Sequence, residues 1–521
     1  MKLRSLYNSW SRNERLIFWG ALMVFIITLV IRTSFYIQDN MTLAPKRGGE
    51  FREGIVGQPI FINPAVPGSE ADRDLSRLVF SSVTDVAESI KLAKEDKLIY
   101  SVRIKENIRW QDGERLTSDD IIFTIQTIQD PGARSPLLAS FQGVMAERVS
   151  ELEVKFILQS PYAFFEEDHL KNLLIIPKHI FADTPVENLK FSVYGLKPVG
   201  SGPYKVASYK SDEKGVINIM NLEENSGYFG DKPYIPKLTF KFYRNTSELL
   251  NAYNSGQIDG FGLSTAESLV EVGLRHNVYY LPSSRYYAVF INQSAGNEKL
   301  KDLKVRKAMD SAVDRTKLAN DIFQSHATIL YGPTVFTEES NSTIDTSLLN
   351  GLELNLTVPE EPFLIKTANS IKSSWESYGA RVSIRTLPLK SIQEDILRNT
   401  DYELLLFGNI VKEGQDLFAF WHSSRRFYPD QNLALYQNKD VDSELETYRK
   451  TFDEQERMNK LEKISNMIAS DAPAVFLYSP DYLYIATPNL GGIDKTKVIN
   501  TASDRFADIT KWYVKTKRAF K

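Results

Sequence analysis

The sequence predicts an α/β protein of more than one domain, carried on a single N-terminal transmembrane helix. Three observations predict it. The chain has 521 residues, more than one ordinary domain holds. Its second half alternates strand-like and helix-like apolar patterns, as a parallel sheet covered by helices requires. Residues 16–31 (LIFWGALMVFIITLVI) contain no charge.

Composition narrows the class of function. The chain is 42% apolar and 12% aromatic, enough for large cores and against global disorder. Its net charge is −3 with both signs well mixed, so nothing marks it as a nucleic-acid binder. It has no cysteine, which excludes disulfides, thiol catalysis, Cys-ligated zinc and a lipid-attachment cysteine.

Lys2, Arg4, Arg12 and Arg15 precede the apolar stretch and are opposed only by Glu14. This basic flank keeps the N-terminus in the cytoplasm and sends the bulk of the chain outward. Arg32 can snorkel, and 33–37 extend the apolar surface. Between Leu22 and Pro64 the only alanine is Ala44, so no A-x-A cleavage site follows. An uncleaved anchor is expected over a removed signal peptide. Residues 39–49 (DNMTLAPKRGG) are polar, contain Pro and Gly, and lack periodicity, which predicts a short linker.

Strands are expected at 98–104 (LIYSVRI) and 152–158 (LEVKFIL), with a helix over 118–129. Residues 198–209 hold a Gly-rich turn entering a strand, and 234–243 another strand. Val305, Ala308, Met309 and Ala312 fall on one helix face. Leu352, Leu354, Leu356 and Val358 alternate as a strand. Leu364, Ala368, Ile371, Trp375 and Tyr378 then step as a helix closed by Gly379. Strands at 382–387 and 403–407 follow, predicting a right-handed parallel unit. A late helix through Leu461, Ile464, Met467 and Ile468 leads into a buried strand at 474–478. A compact segment at 506–513 precedes a basic tail.

The most distinctive stretch is 103–124, RIKENIRWQDGERLTSDDIIFT. Asp112-Gly113 is a tight-turn signal, because Gly accepts φ > 0. Thr117 stands three residues before Asp120, which reads as a capping box with a shorter acid. Trp110 beside such a turn reads as a packing anchor.

This stretch resembles the signature of the bacterial extracellular solute-binding proteins of family 5, the oligopeptide-, dipeptide- and nickel-binding components of ABC importers. Five further elements resemble the family in the same order: 48–65 with its Asn63-Pro64 turn, 198–206 (PVGSGPYKV), 253–260 (YNSGQIDG), 305–319 (VRKAMDSAVDRTKLA) and 456–478 with the closing DITKWY. The resemblance spans residues 47–515. It implies the two-lobed periplasmic-binding-protein fold, cluster C type, closing on ligand by hinge motion. With the anchor this divides the chain into a cytoplasmic basic segment 1–15, a transmembrane anchor 16–37 and a linker 38–49. Lobe one takes 50–283 with an inserted subdomain at about 65–185, lobe two 284–482, and 483–521 return to lobe one and end in the basic tail.

Ligand-binding candidates cluster in 407–423 (FGNIVKEGQDLFAFWHS), after the predicted strand, where α/β folds place ligands. The resemblance makes this the loop of peptide-contacting residues. Gly408 allows close backbone approach, Asn409 offers donors and an acceptor, and Trp421 walls a side-chain pocket or sits in the core. The family's oligopeptide binders place an aspartate here for the peptide's free amine. In this chain that position holds Val411 or Lys412, and the nearest acids are Glu413 and Asp416. Tyr286 and Tyr287 open the strand YYAVFIN near the expected hinge, as ligand-stacking or core residues. Residues 54–58 offer a strand edge for an extended peptide.

No catalytic set is expected. His169, His179, His276, His326 and His422 lack metal-ligand spacing such as HExxH. Ser211 to Lys214 matches S-x-x-K only in a polar turn, not at a helix start. The expectation is therefore a monomeric, non-enzymatic receptor without metal or cofactor, tethered on the extracytoplasmic side. Its partners would be a peptide or peptide-like ligand and ABC permease subunits in the same membrane, with no nucleic acid. The alternative keeps the fold for a sensory or scaffolding surface protein with an altered ligand.

Overall fold

A computed structural model describes residues 9–263, 266–338, 345–411 and 416–520. The N-terminal helix, Arg12–Asn40, starts from a capping box in which Ser11 and Glu14 exchange hydrogen bonds. It is long and apolar enough to cross a membrane, and among the described residues none of its most apolar stretch is buried. The next residue begins a strand, Met41–Lys46, paired antiparallel with the C-terminal strand Lys515–Phe520. The expected linker is thus largely a rung-for-rung ribbon. Its partner lies at the far end of the chain, which no local pattern reveals.

Two large sheets define two lobes. The first has seven strands in the order Asn277–Leu281, Tyr482–Ala486, Gly260–Leu263, Glu50–Val56, Lys237–Tyr243, Ile217–Glu224, Tyr204–Ser211. The second has six: Ala327–Ile329, Ala474–Pro480, Arg285–Ile291, Leu404–Ile410, Glu353–Pro359, Arg381–Leu387. The chain crosses between them twice, from Leu281 to Arg285 and from Pro480 to Tyr482. A four-stranded antiparallel sheet (Ala87–Leu92, Ile99–Ile104, Glu153–Ile157, Met145–Ser150) is inserted in the first lobe and shares its core.

Alternation along one strand shows how the second lobe is built. In Arg285–Ile291, Tyr287, Val289 and Ile291 face one core, while Tyr286, Ala288 and Phe290 face another. The sheet is therefore buried on both faces, which explains its near-continuous apolar runs. Glu353–Pro359 pairs in parallel with both Arg381–Leu387 and Leu404–Ile410. The intervening helix, Pro362–Ser377, buries Leu364, Ala368, Ile371 and Trp375. Tyr378, expected on the same face, is 44% exposed because the helix ends before it and Gly379 turns the chain at φ +91°.

Glu50–Val56 lies inside its sheet, flanked by Gly260–Leu263 and Lys237–Tyr243. The edge expected at 54–58 is therefore mostly occupied. A Cβ on Gly54 would stand 2.4 Å from Ile258 Cδ1, so this glycine serves packing. The same strand carries a buried charge cluster. Arg505 Nη2 donates to Glu53 Oε1 (2.9 Å) and Asp74 Oδ2 (2.8 Å), and Tyr484 Oη donates to Glu53 Oε2 (2.6 Å). These residues join the strand Glu50–Val56, the helix Glu70–Val79, the strand Tyr482–Ala486 and the C-terminal 3-10 segment.

Candidate functional site

The strand Leu404–Ile410 runs antiparallel to Arg285–Ile291, pairing Tyr287 with Gly408, Tyr286 with Asn409 and Arg285 with Ile410. Its end therefore lies beside the chain crossing at 281–285. Val411 N–H donates to Ser284 O at 3.2 Å, holding the exit of the strand against that crossing. Val411 is itself buried.

Several expected ligand contacts are used internally. Trp421 is fully buried among Phe290, Tyr436 and Phe476, so it belongs to the lobe's core and not to a pocket wall. The four-residue helical turn Phe418–Trp421 swings it inward. Tyr286 is buried, and Asn409 Nδ2 donates to its hydroxyl at 3.3 Å. Burial pushes that hydroxyl well above the usual tyrosine range, so it stays a neutral hydrogen-bonding group. Tyr287 packs against Phe363 and Tyr478. A Cβ at Gly408 would meet the Tyr287 ring at 2.7 Å, so the close approach this glycine permits is to that ring. Glu413 lies outside the described residues.

Asp416 has an unexpected set of partners. Tyr162 Oη donates to its Oδ2 at 3.0 Å, and Arg449 Nε stands 3.1 Å from the same oxygen. The Phe418 N–H donates to Oδ1 at 3.1 Å. The Arg449 guanidinium lies over the rings of both Tyr162 (4.7 Å) and Phe418 (4.4 Å). Burial, with Asp416 adding to it, raises the Tyr162 hydroxyl well above its ordinary range.

Tyr162 belongs to the inserted subdomain, and Asp416 and Arg449 to the lobe of six strands. The contact continues next door. Ala163 N–H donates to Arg449 O at 2.7 Å, Phe164 packs on Tyr448, and Arg457 lies 5.3 Å over the Phe164 ring. Phe164 is buried within the second lobe's core cluster although its neighbours in sequence belong to the first. Tyr100 Oη donates to Tyr162 O at 3.0 Å and braces the loop from behind. Tyr162-Ala163-Phe164 is thus a clasp joining the inserted subdomain to the second lobe, next to the strand end expected to bind ligand. Sequence reasoning missed it. The one signal was an aromatic run, Tyr162 to Phe165, in an otherwise polar stretch after a strand.

The Trp110 motif is structural. Trp110 is buried, Gly113 takes φ +99°, and Asp112 Oδ2 lies 2.7 Å from His179 Nε2. Thr117 and Asp120 form the expected capping box of Ser118–Gln129, and Asp120 also accepts from Lys178 N–H at 2.8 Å. Among the described residues no cluster of His, Asp and Glu is placed to hold a metal ion.

Two lobes joined by two crossings, with a subdomain of one clasped to the other, define a two-lobed binding protein. The model of the bacterial extracellular solute-binding proteins, family 5, matches residues 82–347, and the chain belongs to that family. Among its relatives, the oligopeptide-binding protein AppA of Bacillus subtilis is 23% identical over 508 residues, covering 86% of this chain and 89% of its own. The crystal structure of the ABC transporter substrate-binding protein CtaP from Listeria monocytogenes is similar at a TM-score of 0.76 and 25% identity, over 90% of this chain and all of that one. The structure of Bacillus subtilis AppA in complex with a nonapeptide shares the fold at a TM-score of 0.71 and 22% identity, over 91% of this chain and 100% of that one.

Proposed function

We propose that this protein is the membrane-tethered, extracytoplasmic receptor of a peptide-class ABC importer, which captures peptides or peptide-like solutes by lobe closure and hands them to permease subunits in the same membrane. Its work is binding, without covalent chemistry. Family membership and the peptide-binding relatives support the ligand class. The observation that carries the mechanism is the Tyr162–Asp416–Arg449 clasp. It links the two lobes through side chains that stay anchored in their own lobes when parted, as a hinge-closing receptor needs.

The ligand would lie against the exit of Leu404–Ile410, with Ile410 on one wall and the Tyr162 loop as lid. The described part of 404–423 holds one acid, Asp416, and Arg449 already neutralises it. A buried ligand ammonium without its own counter-charge costs several kcal/mol. The proposed ligand is therefore held through its backbone and side chains, without an acidic partner in this described stretch for a free amine.

The helix Arg12–Asn40 is proposed to remain as the anchor, which keeps the receptor at high effective concentration beside its permease. Mass spectrometry of small molecules released by denaturing the full chain, purified in detergent, tests the reading. A ladder of mixed peptides is expected. A single non-peptide species would replace the substrate class. Release of nothing, with no thermal shift from a peptide library, would favour the sensory or scaffolding alternative.

A further inference from the structure

The ribbon of Met41–Lys46 and Lys515–Phe520 is a two-stranded sheet separate from both lobes. It follows the anchor helix without a spacer, since the helix ends at Asn40 and the strand starts at Met41. Register pairs Phe520 with Met41, Ala519 with Thr42, Arg518 with Leu43 and Lys517 with Ala44. Residues 518–520 therefore stand where the helix leaves the membrane. A helix of 29 residues is about 43 Å long, close to the full thickness of a bilayer with its headgroups. The Phe520 end of the ribbon accordingly emerges at headgroup level.

The chemistry of the ribbon matches that place. Its strands hold Lys46, Lys515, Lys517 and Arg518 and no acid. All four are exposed, and among the described contacts none forms an ion pair. Leu43 and Phe520 are 69% and 61% exposed, large apolar side chains toward the membrane end of the ribbon. The order of supply is also informative. Residues 33–45, the last turns of the helix and the start of the ribbon, contain no Lys or Arg. Cations there would oppose export of the chain. The C-terminal strand restores positive charge at that level, but it arrives only after export and folding, when it no longer affects topology.

We propose that this ribbon is a lipid-contact element: Lys515, Lys517 and Arg518 bind anionic headgroups on the outer face of the membrane that the helix spans, while Phe520 and Leu43 enter its interface. This rests on the retained anchor proposed above. The contact fixes the height and tilt of the lobes over the membrane, turning a swivelling tether into an oriented stalk.

The chain lacks cysteine, so Thr516→Cys gives a single labelling site on an exposed ribbon position. Full-length protein carrying an environment-sensitive fluorophore there is reconstituted into vesicles of phosphatidylcholine, with or without about a third phosphatidylglycerol. The expected result is a blue-shifted emission with phosphatidylglycerol only. It should reverse near 1 M salt, where the screening length falls to about 3 Å, and disappear in the K515E/K517E/R518E variant. The same emission in both vesicles would overturn the proposal, and the salt series on the unaltered ribbon decides it even where the triple variant misfolds. An equal shift from soluble polyglutamate over pure phosphatidylcholine would also overturn it, in favour of a free polyanion. The intact mass of protein taken from native membranes reports the anchor separately. A mass lacking the helix sinks the anchor reading and the ribbon contact with it, whereas an intact mass with indifferent emission sinks the ribbon alone.

Discussion

Two arginines in this molecule face carboxylates in opposite circumstances. Arg505 lies in the core of the first lobe, with Glu53 and Asp74 all but excluded from solvent. Arg449 bridges the second lobe and the inserted subdomain, a third of its side chain exposed, with Asp416 at 14%. Every partner of Arg505 named here belongs to one lobe, so nothing in lobe motion separates them. The partners of Arg449 come from both sides of the clasp. A charge buried within a lobe specifies one arrangement and breaks only on unfolding. A charge at a water-accessible seam can lose one partner and be rehydrated cheaply, so it suits a contact that opens and closes.

The sharpest way to break this comparison is Arg505→Met. It leaves two carboxyl groups buried without their cation, and removing one partner of a buried ion cluster costs about 3–5 kcal/mol. The midpoint of chemical unfolding of the first lobe should fall accordingly. Unchanged stability would mean that water already reaches Glu53 and Asp74.

Phe164→Ala comes next. A buried Phe replaced by Ala costs about 3–5 kcal/mol where the cavity cannot collapse. Phe164 fills a core that its own subdomain does not own, so the loss should appear as separation of the lobes, with each lobe keeping its unfolding transition. A double-cysteine pair on exposed Glu213 and Lys390, labelled for energy transfer, reads this directly. A lowered unfolding transition with unchanged transfer would place Phe164 in a permanent core and remove the clasp.

The contrast between lobes and seam also separates what the sequence made legible from what it hid. Local pattern was sufficient for Ser118–Gln129 with its Thr117 cap, for Pro362–Ser377 closed by Gly379, and for the alternating strand at 353–359, because each is determined within about a dozen residues. The clasp was not legible. Tyr162 and Asp416 are 254 positions apart, and neither has a local reason to be polar or aromatic. The ribbon failed for the same reason, since Met41 finds its partner at Phe520. At the site, Trp421 and Tyr286 illustrate the other limit. An aromatic near a strand end is equally compatible with stacking on a ligand and with filling a core, and the neighbours that pack on these rings, Phe476 on both and Phe290 on Trp421, are distant in sequence.

Tyr162→Phe sharpens the seam itself. It keeps the ring under Arg449 and removes only the hydroxyl that donates to Asp416. A hydrogen bond to a charged group contributes about 1.5–3 kcal/mol, less here because water can replace it. Peptide affinity by calorimetry should weaken about tenfold, which is about 1.4 kcal/mol, with faster release and an unchanged melting temperature for the unliganded protein. A lower melting temperature with unaltered affinity would make this contact structural, on a par with Arg505.

The smallest effect expected concerns proton linkage in the buried cluster. Glu53 and Asp74 share one guanidinium, so burial raises both carboxyl groups above their ordinary range despite Arg505. A carboxyl raised in the folded state favours folding at low pH, because the native protein holds the proton more tightly than the unfolded chain. That contribution is complete below the unfolded values near 4 and is lost as pH climbs through the raised native values. The melting temperature should therefore decline as pH rises from the acid side. Asp74→Asn keeps an acceptor for Arg505 and removes one of the two competing charges, so its decline should be shallower than that of the unaltered protein. If Asp74→Asn steepened the decline instead, the two acids would be fully ionised together in the native core, and Arg505 would be neutralising both.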